Sequence, residues 1–221
     1  MTNHGHTRTP FLAGLALLFM VHLVSCGISM IPIKDAWYTQ HYIIMQDFER
    51  GAFRTLSDAG RLAFRDLFWK YRSPDAKAVF AARLDYVMKN YWKENSRQPW
   101  NTDRSRVFLL HGSPAAIDYD QNVSWAVSAL PGGGGAAVTS DRSNEDLQAN
   151  RAEIWTYQFD RYLVKYGFVF FVGSSSWRAA MPPAAGSQYR GEFEDYSRNV
   201  TFAITDIQRY KQEIAGLEKK K

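Results

Sequence analysis

Glu153-Ile154-Trp155-Thr156-Tyr157-Gln158-Phe159 alternates, setting Trp155, Tyr157 and Phe159 on one face. Shortly after it, Gly167-Phe168-Val169-Phe170-Phe171-Val172-Gly173 is an unbroken apolar run between glycines. The first pattern is that of a strand with one covered face, the second that of a central strand. Together they commit this part of the chain to a sheet. Two further strands are expected beside them. One is Arg106-Val107-Phe108-Leu109-Leu110-His111, stopped by Gly112-Ser113-Pro114, and the other runs from Arg198 to Ile204, with Val200, Phe202 and Ile204 on one face.

Upstream the period changes to that of helices. The stretch from Asp35 to about Arg54 is helical and aromatic-rich. Ser57 offers an N-cap for a helix carrying Phe64, Phe68 and Tyr71 as one stripe. Ser73-Pro74-Asp75 restarts the chain: a capping hydroxyl, a proline at the first helical position and an acid at the positive helix end. Phe80, Leu84, Val87 and Tyr91 then repeat at four, three and four. Two helices joined this tightly predict a helical hairpin. Ile207, Tyr210, Ile214 and Leu217 mark a C-terminal helix. The expected fold class is α+β: N-terminal helices, with that hairpin, packed on a small, mainly antiparallel sheet of three or four strands, and a C-terminal helix. Residues from about 115 to 150, with Pro131 and Gly132 to Gly135, read as a flexible insertion between strands.

Composition narrows the function classes. Of 221 residues, 46% are hydrophobic and 15% aromatic, which excludes a disordered polar chain. The formal charge of +5 is diffuse apart from Lys219-Lys220-Lys221, so nucleic acid is not an expected partner. A single cysteine excludes a disulfide framework and a cysteine-based zinc site.

That cysteine sits in a telling place. Phe11 to Ser25 is almost wholly apolar, behind a polar stretch whose one charged residue is Arg8, and Leu23-Val24-Ser25-Cys26 closes it. Polar, apolar and small-residue regions in this order describe a secretory signal, and the last four residues resemble the bacterial lipobox. Residues 1–25 are then a lipoprotein signal peptide, Cys26 the acylated residue, and 26–34 a tether to a domain spanning 35–221. An uncleaved anchor from Phe11 to Ile33 is the competing reading, since that run is long enough to span a bilayer. Gly27 after the cysteine, rather than Asp, favours the periplasmic face of the outer membrane. A thiol used up by acylation leaves no cysteine nucleophile.

Five stretches occur in one order: Phe68-Trp69-Lys70 with Pro74, Arg83, Trp100-Asn101-Thr102-Asp103-Arg104, Val107 to Gly112-Ser113-Pro114, and Glu153-Ile154-Trp155-Thr156-Tyr157. From about Tyr42 to Tyr157 the chain thereby resembles the GWxTD domain, a bacterial envelope family. The resemblance marks Trp100, Thr102, Asp103, Arg104, Gly112, Pro114 and Trp155 as motif positions and implies fold and compartment. It implies no defined activity. Pro99 stands where the motif has Gly, Ser73 where the family usually has Asp, and Ser105 where it usually has Gly.

Each chemical candidate has a structural reading beside it. Asp103 and Arg104 form either an acid–cation pair at a pocket or a loop-fixing set in which Trp100 plugs the helix–sheet junction and Asp103 pairs with Arg83. His111 is a possible general base without an identified partner. Asp103, Arg104, His111 and Glu153 are the weak catalytic candidates, and no G-x-S-x-G elbow accompanies them. Asp118-Tyr119-Asp120-Gln121-Asn122 starts like an EF-hand loop, but Val123 replaces the required Gly and Ala129 the required Glu, so no metal is expected. Gly132 to Gly135 lacks the Lys-Ser/Thr of a phosphate loop, and no cofactor is expected. Trp125, Trp177 and Tyr189 fall in loop-like sequence, where exposed aromatics suit protein binding or glycan stacking. The reading is an envelope lipoprotein, held to the membrane through Cys26 and interacting with other envelope proteins, non-enzymatic in character. An envelope hydrolase or a glycan- or small-ligand-binding protein is the alternative.

Overall fold

Asp35 begins the compact unit by capping its first helix, its carboxylate accepting the Tyr38 N–H at 3.0 Å. The computed structural model describes residues 35–120, 149–171, 176–180 and 189–219. Helix α1 (Ala36–His41) runs into a 3-10 turn (Tyr42–Ile44), followed by α2 (Asp47–Thr55), α3 (Asp58–Lys70) and α4 (Pro74–Asn90). Ser57 caps α3 by accepting the Gly60 N–H at 3.1 Å. Pro74 occupies the first turn of α4, while Ser73 makes no side-chain cap. The helix pair expected at Tyr71 to Ser73 is therefore present, and Trp69 and Phe80 meet across it at 5.7 Å.

The sheet differs in membership from the sequence expectation. Residues 106–111, expected as a strand, lie in helix α5 (Asp103–His111). Four apolar residues, Val107 to Leu110, cannot announce their own period, and the ends decide. Thr102 accepts the Ser105 N–H at 3.3 Å as N-cap, and Arg83 of α4 donates to the Leu109 and Leu110 carbonyls at 3.0 and 2.6 Å at the other end. Both termini of a short helix are thereby satisfied. The strand expected over 198–204 is likewise the end of helix α6 (Arg190–Val200) and a turn. Arg198 pairs with Glu194 at 2.9 Å and Asp195 at 3.1 Å, helical spacings, and Val200 is exposed, so no sheet face forms there. Helix α7 (Ile207–Ala215) closes the described chain as expected.

Four antiparallel strands stand in sequence order: β1 (Ala116–Asp120), β2 (Ala149–Phe159), β3 (Tyr162–Phe171) and β4 (Ser176–Ala180). Residues 116–120 and 149–150 correct the insertion expected from 115 to 150, since both belong to strands; 121–148 lie outside the described residues. Register pairs Trp155 with Tyr166 and with Ile117. Asp160 turns the β2–β3 hairpin at φ 52°, a conformation Asp tolerates better than most residues.

Two aromatic cores result. Among the helices, Tyr38, Phe53, Phe64, Phe68 and Tyr210 are buried. Between helices and sheet, Phe108 and Tyr91 pack on Trp155, and Phe193 on Tyr157 and Phe159. The C-terminal segment lies back on the helices: the Glu218 carbonyl accepts the Ser57 N–H at 3.1 Å, and a Cβ on Gly60 would fall 2.2 Å from that oxygen. Only glycine permits this approach. Among the described residues no helix is long and apolar enough to cross a membrane.

Candidate functional site

Arg104 leaves the first turn of α5 and enters a pocket of opposite charge. Its guanidinium donates to Glu94 at 2.9 Å and to Glu153 of β2 at 2.7 Å. It lies over two rings, Trp177 of β4 at 4.2 Å and Tyr91, which ends α4, at 4.8 Å. Trp155 completes the set by donating its indole N–H to Glu153 at 3.0 Å. The planar fork of Arg serves two carboxylates and stacks at once, which Lys could not do. Burial opposes the guanidinium's charge, but Glu94 and Glu153 outweigh it and hold its pKa above the usual value. Burial pushes the Glu94 carboxyl upward, against the pull of Arg104.

The neighbouring residues tie the same helix down. Asp103 accepts the Ala179 N–H of β4 at 2.8 Å, and Arg106 stands 3.8 Å away. The expected partner Arg83 is elsewhere: it is committed to the α5 carbonyls. Trp100 is buried and donates its indole N–H to the Thr39 hydroxyl of α1 at 3.0 Å. The Ser105 hydroxyl donates to the Pro99 carbonyl at 2.6 Å, fixing the turn into the helix.

At the other end of α5, Gly112 adopts φ 83°, and an added Cβ would stand 3.1 Å from an Arg83 nitrogen. Its carbonyl accepts the Tyr157 hydroxyl at 3.0 Å. Pro114, half-buried, leads into β1. His111 bonds Ser197 through Nδ1 at 2.8 Å and the Tyr166 hydroxyl through Nε2 at 2.9 Å, stacked 4.0 Å from Phe193. Burial, reinforced by Arg83 and Arg198, lowers its pKa to about 3, so the imidazole is neutral at neutral pH. Ser197 is buried, and the second ring nitrogen meets a phenol rather than a carboxylate. The histidine–serine contact therefore lacks both substrate access and the orienting acid of a hydrolytic triad.

Of the four catalytic candidates, the fold brings together only Arg104 and Glu153. Asp103 and His111 sit at opposite ends of a nine-residue helix, about 12 Å apart by helical rise. Trp177, expected in a loop, is a buried residue of β4, and Tyr189 stacks on Tyr162 at 4.0 Å. Trp125, Cys26 and the tether 26–34 lie outside the described residues. Among the described residues, no three His, Cys, Asp or Glu side chains are grouped to hold a metal ion.

Sequence reasoning missed two partners of this site and one separate centre. Glu94 and Ser197 carry no motif signal. The separate centre is Glu49–Arg72, an ion pair at 2.8 Å with both side chains fully buried. Tyr210 donates to Glu49 at 2.7 Å, and Glu49 also accepts the Gln46 N–H at 2.7 Å. Gln46-x-x-Glu49 is a capping-box spacing and was the available clue. Compared with protein-family models, with curated proteins and with solved structures, the chain matches none.

Proposed function

We propose that this chain is a bacterial envelope lipoprotein, acylated at Cys26 and facing the periplasm from the outer membrane, whose GWxTD-like domain is a non-enzymatic interaction module. The observation that carries the module reading is the use of the motif's polar groups. Arg104 is saturated by Glu94, Glu153 and two rings, and Asp103 is bonded to the backbone of β4. These residues hold a helix against a sheet; they do not present an acid or base to a substrate. The anchor reading rests on the chain's single cysteine closing Leu23-Val24-Ser25-Cys26. Acyl chains on one residue, each buried methylene contributing ~0.8 kcal/mol, hold a folded domain stably at a bilayer.

Intact mass of the membrane-extracted protein tests the anchor. The expected species is residues 26–221 plus acyl chains, and Cys26→Ser should abolish both cleavage and acylation. A Cys26→Ser product still trimmed and acylated would overturn it. In-cell crosslinking of the full chain, with partners identified by mass, tests the module; the absence of any reproducible partner would overturn that part.

A further inference from the structure

The two edges of the sheet are finished differently. Asp103 takes the Ala179 N–H and so closes part of the outer edge of β4. On the opposite side β1 pairs with β2 through Ala116–Asp120, and among the described residues no strand pairs with its free edge. Ala116, Ile117, Asp118 and Tyr119 are all exposed, Tyr119 at 75%. Exposed edges are ordinarily guarded by lysine, proline or a bulge, because their N–H and C=O groups template another strand. β1 has no lysine, proline or bulge; what guards it is its length of five residues and the negative charges of Asp118 and Asp120.

We propose that β1 is a docking edge that takes up an extended segment of another envelope protein as a fifth strand, with alternating apolar and basic side chains. This deepens the interaction-module reading and rests on it. Ile117 and Tyr119 stand opposite Trp155 and Glu153, on the face that bears the helices. Trp155 beside Ile117 and Phe108 behind it are buried, so the apolar surface offered at this edge is that of Ile117 and Tyr119 themselves. Asp118 alternates with them and presents its carboxylate on the other face. An incoming strand thus meets apolar surface on one side and a negative charge on the other, and the backbone supplies the hydrogen bonds. Charge also argues against a second copy as occupant. Antiparallel self-pairing centred on β1 sets Asp118 against itself, and like charges directly opposite destabilise a pair.

The test selects a random octapeptide library on the full chain in detergent, with Tyr119→Lys as the counter-selection. Tyr119 is exposed enough for this variant to fold, which circular dichroism checks. Enriched peptides should alternate apolar and Lys/Arg residues. The leading peptide should lose at least tenfold in affinity for Tyr119→Lys and several-fold for Asp118→Asn. It should also lose at least tenfold when alternate backbone nitrogens are methylated, a change that removes donors and keeps every side chain. No enrichment over the counter-selection, equal binding of the methylated peptide, or a wild-type dimer abolished by Tyr119→Lys would each overturn the proposal. Envelope partners that still crosslink to Tyr119→Lys would remove the edge and leave the module reading intact. No crosslinked partner to either protein would remove both.

Discussion

Among the described residues, Arg72 and Arg104 both meet carboxylates away from bulk water, and the fold treats them differently. Arg72 lies wholly inside the helical half, paired with Glu49, bonded to the Phe68 carbonyl at 2.8 Å and placed 3.3 Å from the Phe68 ring centre. Arg104 lies at the seam between helices and sheet, 12% exposed, and serves two carboxylates from different elements. The first pair joins the start of α2 to the end of α3. The second joins the turn after α4, the start of α5 and strands β2 and β4. The comparison teaches that the Trp100 to Arg104 stretch marks a junction between layers, whereas the deepest charge pair of the fold is announced only by the capping-box spacing of Gln46 and Glu49. Both are costly to desolvate, and in each case most of the sensitivity to mutation comes from the partner left behind.

That contrast can be broken directly. Arg72→Met strands the Glu49 carboxylate in the core and should cost about 3–5 kcal/mol, read as a lowered urea midpoint; adding Glu49→Leu should recover much of the loss. Arg104→Ala leaves Glu94 and Glu153 facing each other at the seam, where slight solvation softens the effect to about 3 kcal/mol. Near-ultraviolet signal from Trp155 and Trp177 should change with Arg104→Ala and not with Arg72→Met.

Each half also holds one neutral histidine, so acid sharpens the comparison. His41, stacked 4.2 Å from Trp37, is lowered to about 3 chiefly by burial, although its bond to the Trp37 carbonyl opposes the shift. His111 is lowered to about 3 as well. Since the unfolded chain binds these protons near pH 6.5 and the folded one only near 3, stability falls as pH drops through that interval. The slope is about 1.4 kcal/mol per pH unit for each histidine, or roughly 2 kcal/mol each at pH 5. His41→Phe and His111→Gln should each flatten the stability–pH curve over that window, and an unchanged slope would reject the neutral assignment. The smallest effect is expected from Asp103→Ala. Losing one bond to the Ala179 N–H and a carboxylate at a helix start should cost about 1–2 kcal/mol and speed amide exchange at Ala179 alone among the β4 residues.

Some of this was legible in the residues. The alternation of Trp155, Tyr157 and Phe159 and the run from Gly167 specified β2 and β3, because a strand with a covered face writes its period into the chain. Ser57 and Pro74 specified helix starts for equally local reasons. Val107 to Leu110 misled, since a short apolar run serves a buried helix as well as a strand; Arg83, distant in sequence, supplies the bonds that finish the helix. At the site, Arg104 and Glu153 were visible as types and Glu94 was not, because a glutamate in a turn is ordinarily solvated.

Local pattern by itself determined the class of fold, the aromatic character of its core and the singular position of Cys26. Tertiary structure alone decided which short segments became strands, which carboxylates met Arg72 and Arg104, and which sheet edge has no partner strand among the described residues. The physical reason is range. Period and capping act within a turn or two of the chain, whereas desolvated charge pairs and strand edges are completed by groups that only folding brings together.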